Sequence, residues 1–590
     1  MNELRIVENS MDILILDLKS CQNIIYEGFK NARTSGFTWL GSVCKLFKDF
    51  CSKLHTILQL DWPNNDSIED VCLCLTQITT CVLYLEKTLI LEKQYRKILT
   101  ISRQHFLNRI LWCMSRLKTL ILGSKIVYPR KDHDFVELMD EALDLIAPYS
   151  DFTGGSVTNI TEFNAEAMFD SKKVRQVVDF LLGQTLSYAN VALSKDKKIL
   201  GTLCQNVLKE CMAFEKTCLL DKNLNESERC LQASLLESSL CHLEDFINES
   251  LLRLIFETYL GYRKYSVEKL KELIESPLTL ESILDETIAD FDVNVDRTTQ
   301  IGVFAIAFAT NSKVKTKVRN VLASLESLDS FLIPSLQANS NHETNQIFIA
   351  HFNKEIQDFQ NALEEIIDCP AFCRSYIAIL QDFIDNFQGS TKVELEDILF
   401  KGRIFHRQLE KNFEKLKVER IKYDKFLMML EECEAISKFY YQVDKSKILK
   451  RLKIFKSTLK KIEVEFVALE KKDNNDEAIF PMTSGEVAES IKMFESCGIS
   501  PQRNSILYQT KNRTDTKVSI NELKSVQSST QKPRKEVKLK SSVKRRESLR
   551  TALFKRQKSN ETEKIHKQYM DNSISLEITG ILDQLSCVSK

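Results

Sequence analysis

Cys204, Cys211 and Cys218 recur every seven residues, and their thiols are the groups in this sequence that most suggest chemistry. Seven residues make nearly two α-helical turns, so the thiols would share one stripe at spacings of about 10 Å. A disulfide needs Cα atoms within about 7 Å, and zinc needs sulfurs at about 2.3 Å from one ion. Val207 and Phe214 continue the same stripe. The pattern therefore predicts a buried helix face rather than a metal or redox site.

Other groups that could do chemistry are also better explained by packing or by solvent. Cys72 and Cys74 would lie about 200° apart around a helix. Cys369 and Cys373, in "CPAFC", have three intervening residues instead of the two of a thioredoxin-like pair. His133 stands between two aspartates but follows "YPRK", which is typical of an exposed loop. We predict core positions for the cysteines and a solvated loop for His133.

The short motifs of the main catalytic classes are missing from the sequence. It contains no P-loop, no glycine-rich dinucleotide turn, no nucleophile elbow and no paired-histidine zinc helix. Its eight histidines are scattered along the chain. We therefore expect a protein that is not an enzyme, with no catalytic, cofactor-binding or metal-binding residues.

A basic segment near the end of the chain, residues 543–558, gives a different kind of signal: "VKRRESLRTALFKRQK". As a short helix it would place Leu549, Ala552 and Leu553 on one side. The residues predicted to contact a membrane or a filament are Lys544, Arg545, Arg546, Arg550, Lys555 and Arg556. Such a segment can bind an anionic leaflet, acidic actin or nucleic acid, and a solvated basic linker is the simplest alternative.

Ser548 lies within this basic segment, directly after "RRE". Basic residues before a serine are the context that basophilic kinases accept. A phosphate adds nearly two negative charges, which would weaken any contact with an anionic surface. We predict Ser548 as a phosphorylation site that acts as an electrostatic switch.

The rest of the chain has the composition of a helical protein. Its 590 residues include only 15 glycines and nine prolines, and apolar residues recur with the helical period rather than alternating. Residues 67–122 predict one very long helix or two with a tight join, and residues 225–260 predict another long helix. Such helices can bury their apolar faces only against each other. The predicted fold class is all-α, with tandem four-helix bundles, long shared helices and a disordered basic C-terminal tail.

Loops rich in glycine, serine, threonine and asparagine suggest the domain boundaries. Further helices are predicted near residues 170–193, 265–275, 280–291, 296–309, 312–328, 342–368, 371–388, 393–440 and 445–472. The predicted units are an N-terminal helical bundle at 1–150, a second bundle at 165–265, one or more middle bundles at 266–472 and a largely disordered basic tail at 473–590.

Charge and cysteine usage indicate an acidic body, a basic tail and a reducing compartment. The formal net charge is zero, yet residues 501–560 hold 17 Lys and Arg against four Asp and Glu. The 17 cysteines show no framework spacing, and no charged-then-apolar leader opens the sequence, so we expect a cytoplasmic protein. The apolar runs at 71–85 and 301–309 are predicted to be buried helix faces, because one is interrupted by polar residues and the other is too short for a membrane span.

Several helical strings resemble the vinculin/α-catenin superfamily. Residues 184–218 resemble its helix hairpins, and residues 292–336 are more specific, with the "DR-x-x-QIG-x-FA" turn followed by "LASLESLDSFLIPSL". Residues 134–146, "DFVELMDEALDLI", fit the same style. The modest size and the early string "CQNIIYEGFK" are most similar to a divergent insect member of the superfamily.

This resemblance implies a non-enzymatic adaptor at the cytoplasmic face of the plasma membrane, in the cell cortex. It implies partners in the actin cytoskeleton, bound directly or indirectly, and among cortical or junctional proteins. The divergent insect member organises actin during cellularization of the syncytial embryo. Residues 473–590 look too polar for the actin-binding bundle of larger relatives, so the tail is the candidate substitute, with an anionic membrane as a possible partner. Nucleic acid is not the expected partner, and a helical scaffold that uses its tail for nucleic acid or nuclear partners is the alternative.

Overall fold

A computed structural model describes most of the chain up to Asp476. The described residues are 2–30, 36–61, 68–121, 134–150, 160–219, 226–276, 280–309, 311–337, 342–416 and 419–476. Within these ranges the chain forms α-helices and one short 3₁₀ turn, with no β-strand. The all-α fold class is confirmed.

Sixteen helices are present in the described part of the chain. The first eight are α1 (Asn2–Lys30), α2 (Gly36–Asp61), α3 (Ile68–Tyr95), α4 (Thr100–Ile121), α5 (Phe135–Ser150), α6 (Ile160–Val191), α7 (Ser194–Leu219) and α8 (Glu226–Lys264). The others are α9 (Val267–Glu275), α10 (Glu281–Phe308), α11 (Ser312–Gln337), α12 (His342–Ile366), α13 (Cys369–Asp385), α14 (Lys392–Leu416), α15 (Arg420–Lys438) and α16 (Lys445–Asp476).

The helices pack as bundles that share two long members. Helices α1 to α4 form one group, α5 to α8 a second and α13 to α16 a third. Helix α3 also contacts α11 and α12, while α8 also contacts α10, α13 and α14. The predicted tandem bundles with shared helices are therefore present, and their buried apolar side chains form one connected cluster. Helix α5 packs against α6 and α8. The sequence limits predicted for the units stay predictions.

Residues 67–122 contain two helices, which decides between the two alternatives that the sequence left open. Glu92 organises the join, because its carboxylate accepts the Leu99 backbone N–H at 2.7 Å and the Arg103 Nε–H at 2.7 Å. Arg96 adopts the left-handed region with φ of 51°. No glycine or proline marks this turn in the sequence, so a buried carboxylate replaces the usual turn residues.

Two predicted helix limits were wrong. The segments 280–291 and 296–309 form one helix, α10, since no proline or glycine interrupts the residues between them. The segment 393–440 instead forms α14 and α15. Its break is set by tertiary contact, because the Glu419 backbone N–H donates to Glu465 Oε1 of α16 at 3.0 Å. Pro334 lies inside α11.

The second half of α8 joins two bundles. The Phe256 ring stacks on Phe372 of α13 with centroids 4.0 Å apart. Lys401 of α14 forms an ion pair with Glu257. At Gly261, a Cβ atom would lie 2.5 Å from Cγ of the buried Asn294 of α10, so only glycine allows this close helix crossing.

Helix α3 is the one described helix that is long and apolar enough to cross a membrane by composition. Most of its apolar window is buried among other helices, as in the core of a water-soluble bundle. The prediction that residues 71–85 form a buried helix face is confirmed.

Candidate partner-binding surfaces

The predicted contact residues of the tail lie outside the described residues. They are Lys544, Arg545, Arg546, Arg550, Lys555 and Arg556. The predicted phosphorylation site, Ser548, lies there too. These assignments stay predictions. The surfaces that the structure describes belong to the helical body.

The cysteine stripe of α7 is core, as predicted. Cys204, Cys211 and Cys218 are all buried, with Phe214 between the last two. Burial raises the pKa of the Cys204 thiol to about 11 and that of Cys211 to about 12, so both stay protonated at neutral pH. Protonated, buried thiols are poor nucleophiles and poor metal ligands.

The other predicted core thiols are also buried, at Cys72, Cys74, Cys369 and Cys373. The "CPAFC" string opens α13, where the Asp368 carboxylate caps the helix by accepting the Ala371 backbone N–H at 3.0 Å. In the described ranges, no three His, Cys, Asp or Glu side chains are placed to hold a metal ion.

The Asp132-His133-Asp134 string is only partly described. Asp134 begins α5 as half of a capping box, because Glu137 N–H donates to Asp134 Oδ1 at 2.9 Å and Asp134 N–H donates to Glu137 Oε2 at 3.2 Å. Residues 132 and 133 lie outside the described residues. Asp134 therefore has a structural role at a helix start.

Replacing Cys204, Cys211 and Cys218 together by Ala is expected to lower the free energy of unfolding by about 1 kcal/mol per site, because each change leaves a small cavity. Urea denaturation followed by circular dichroism measures this loss. Metal analysis of both proteins should give the same zinc content. Loss of one zinc per chain in the variant would contradict the core assignment.

A polar seam joins α3 and α4 to α11. The Gln77 side-chain amide donates to Asn320 Oδ1 at 2.8 Å and to Ser324 Oγ at 2.9 Å. Arg109 Nε donates back to Gln77 Oε1 at 3.1 Å and its Nη2 to the Ala323 carbonyl at 3.1 Å. The sequence signal for this seam is weak, namely a glutamine and an arginine within otherwise apolar helix faces. The seam fixes how two distant parts of the chain pack.

An aromatic stripe on α6 has no helix packed over it among the described residues. Phe169 is 70% exposed and Phe180 is 59% exposed. They are 11 residues apart, which is three helical turns, so they share one side of α6. Gln176 lies exposed between them. Large exposed aromatic side chains at helical spacing are typical of a site where another protein docks. We name Phe169 and Phe180 the α6 aromatic stripe.

The sequence matches the family described as "Serendipity locus alpha protein (SRY-A)" over residues 11–583. Serendipity locus protein alpha of Drosophila virilis is 35% identical over 480 residues, covering 77% of this chain and 87% of the relative. The Drosophila pseudoobscura pseudoobscura protein of the same name is 33% identical over 473 residues, covering 77% and 85%.

Two solved structures show a weak overall similarity to this one. The HMP-1 M domain aligns with a TM-score of 0.38 and 11% identity over 56% of this chain and 97% of that domain. A vinculin homologue from a sponge aligns with a TM-score of 0.46 and 10% identity, over 84% of this chain and 63% of the homologue.

The described bundles, with their shared helices and exposed aromatic stripe, define a helical-bundle protein with surfaces suited to protein contacts. The family match covers nearly the whole sequence. The chain belongs to the Serendipity locus alpha protein family, and the expected likeness to the divergent insect member is confirmed.

Proposed function

We propose that this protein is a non-enzymatic adaptor between the cortical actin cytoskeleton and the cytoplasmic face of the plasma membrane. It organises actin while the membrane invaginates during cellularization of the syncytial embryo. The helical body docks amphipathic helices of cortical or junctional proteins. The basic residues of the tail, from Lys544 to Arg556, supply membrane or filament contact.

The observation that carries this proposal is the α6 aromatic stripe. Two large aromatic side chains remain exposed on a helix whose other side is fully packed. A partner helix that lays its apolar residues over this stripe would remove both rings from water. Family membership supports the same assignment. The resemblance to adaptor proteins of the vinculin/α-catenin type rests on residues 134–146, 184–218 and 292–336 of the helical body.

The test is live imaging of the tagged full-length chain in syncytial Drosophila embryos, with Phe169→Asp and Phe180→Asp combined. Enrichment at the cortex, in overlap with actin filaments, is expected for the unaltered chain. The cortical enrichment of the double variant should be at least tenfold lower, because buried aromatic anchors typically contribute about 2 kcal/mol each at protein interfaces. The matched control combines Gln205→Asp and Asn206→Asp, which add the same two charges at exposed positions of α7 outside the α6 aromatic stripe.

Two outcomes would oppose the proposal. A diffuse distribution of the unaltered chain would contradict the proposed cortical adaptor function. Accumulation in nuclei, lost on deletion of residues 530–560, would favour the alternative of a scaffold that binds nucleic acid through its tail. Thermal unfolding of the purified variants verifies that the changes at Phe169 and Phe180 leave the fold intact.

A further inference from the structure

The first half of α16 is a strongly basic helical segment of the described chain. From Lys445 to Ile462 it contains eight Lys and Arg and no Asp or Glu. Its inner side is buried through Ile448, Leu452, Phe455, Leu459 and Ile462. Its outer side is exposed at Lys447, Lys450, Lys453, Lys460 and Lys461. We name these five residues the α16 lysine face, which extends along about 21 Å of helix.

The α16 lysine face is only weakly balanced by negative charge, since Asp444 at the helix start attracts Lys447 alone. Among the described residues, none of its five lysines forms an ion pair with a carboxylate, whereas Arg451, on the flank of the helix, pairs with Glu432 at 3.2 Å. The nearest acids along the chain are Asp444 before the face and Glu463 and Glu465 after it, and Glu463 lies near Cys373 of α13. Glu465 pairs with Lys422 of α15 at 3.3 Å, and Asp444 accepts the Ser446 hydroxyl at 2.7 Å at the helix start. Five positive charges on one straight side leave a strong local field.

Exposed apolar side chains lie on the same side of α16 as the lysines. Val464 is 67% exposed and Ile454 is 37% exposed, and both are spaced to face outward with the lysines. Arginine, which forms bidentate hydrogen bonds with the phosphates of nucleic acids, is absent from this face. Lysines around exposed aliphatic groups suit the interface of a lipid leaflet, where headgroups attract the ammonium groups and the acyl boundary accepts the apolar ones.

We propose that the α16 lysine face docks on an anionic lipid leaflet and holds the helical body flat against the membrane. This inference rests on the proposed cortical function and gives it a specific contact within the folded part of the chain. The tail segment at 543–558 then provides a second basic contact with the same leaflet. Two linked contacts bind more tightly than either alone, since the second forms at high effective concentration.

The size of the effect follows from the number of lysines. Each basic residue close to an anionic leaflet contributes about fivefold to partitioning at physiological salt. Neutralising five of them is expected to lower binding to anionic vesicles by more than tenfold. The exposed positions tolerate glutamine, because surface substitutions without buried partners leave the fold nearly unchanged.

The experiment is vesicle cosedimentation of the full-length chain with Lys447, Lys450, Lys453, Lys460 and Lys461 changed to Gln. Vesicles of phosphatidylcholine with about one third phosphatidylserine are compared with phosphatidylcholine alone, because only the former has the negative surface potential. The matched control changes five exposed lysines of α6 and α7 to Gln, with the same loss of charge: Lys172, Lys197, Lys198, Lys209 and Lys216. A third variant changes Lys544, Arg545, Arg546 and Arg550 to Gln.

Support for the proposal is binding to anionic vesicles only, with a loss of more than tenfold in the α16 variant and less than threefold in the control. Equal losses in the α16 variant and the control would overturn it, since net charge would then explain the binding. A loss confined to the tail variant would overturn it while leaving the adaptor function intact. Cosedimentation with actin filaments or RNA that falls in the α16 variant, with vesicle binding unchanged, would assign the face to those partners instead and would also overturn it.

Discussion

Replacing Phe256 by Ala is expected to lower the free energy of unfolding by about 3–5 kcal/mol, the largest effect of any single substitution considered. The ring is fully buried where α8 meets the bundle of helices α13 to α16. It lies parallel to Phe372 at 4.0 Å and 5.8 Å from the Tyr376 ring. Truncation would leave a cavity that three rigid helices cannot close.

The measurement is urea denaturation of the full-length chain, together with amide hydrogen exchange. Exchange should accelerate in α8 and α13 and stay unchanged in α1 and α2, because Phe256 lies at one junction only. The matched control is Phe180→Ala, which removes an exposed ring of the same size and should change stability by less than about 0.5 kcal/mol. Equal losses in the two variants would show that the α8 junction is not a stabilising contact.

Acid should weaken the packing of α4 against α11 and α12 through His105. This imidazole is buried among Phe106, Phe331 and Phe348, with ring centroids 4.6–5.3 Å away. Burial lowers the pKa of His105 from 6.5 to about 3, and the charges of His351 and Arg109 act in the same direction. The folded state therefore excludes a proton that the unfolded chain accepts.

Because the pKa of His105 is lower in the folded state, its neutral form favours folding fully above pH 6.5, and this contribution is lost as pH falls from 6.5 towards 3. The slope is at most about 1.4 kcal/mol per pH unit for one such group. At pH 4.5 we expect a loss of about 2 kcal/mol relative to pH 7 from this group.

The comparison that isolates His105 is a pH series of urea denaturation curves on two variants. His105→Phe keeps an aromatic ring in the pocket and removes the titrating group, so its stability should depend less steeply on pH between 6.5 and 4.5. His242→Gln, at an exposed position, should keep the steep dependence of the unaltered chain. The same slope in all three proteins would exclude His105 as the cause.

The presence of helices and their buried faces were predictable, because the helical period of apolar residues is a signal within each segment. The stripe of Cys204, Cys211 and Cys218 repeats at the helical period within a single helix, so burial followed without knowledge of neighbours. The long helix α8 was visible for the same reason. The limits of α14 and α15 were not, because their break has no glycine or proline and depends on a contact with Glu465 in α16.

The sequence by itself determined that this chain is helical, that the thiols of α7 pack in the core and that its family is one of bundle proteins. Only the tertiary structure decided which helices are shared and which faces stay free. Gln77 and Asn320 are 243 residues apart in sequence, and no local pattern pairs them. Likewise, the eight basic residues in the first half of α16 are evident from the sequence, but five of the lysines form one exposed face because α13 and α15 cover the opposite side. Packing between distant segments, not helical period, sets such surfaces.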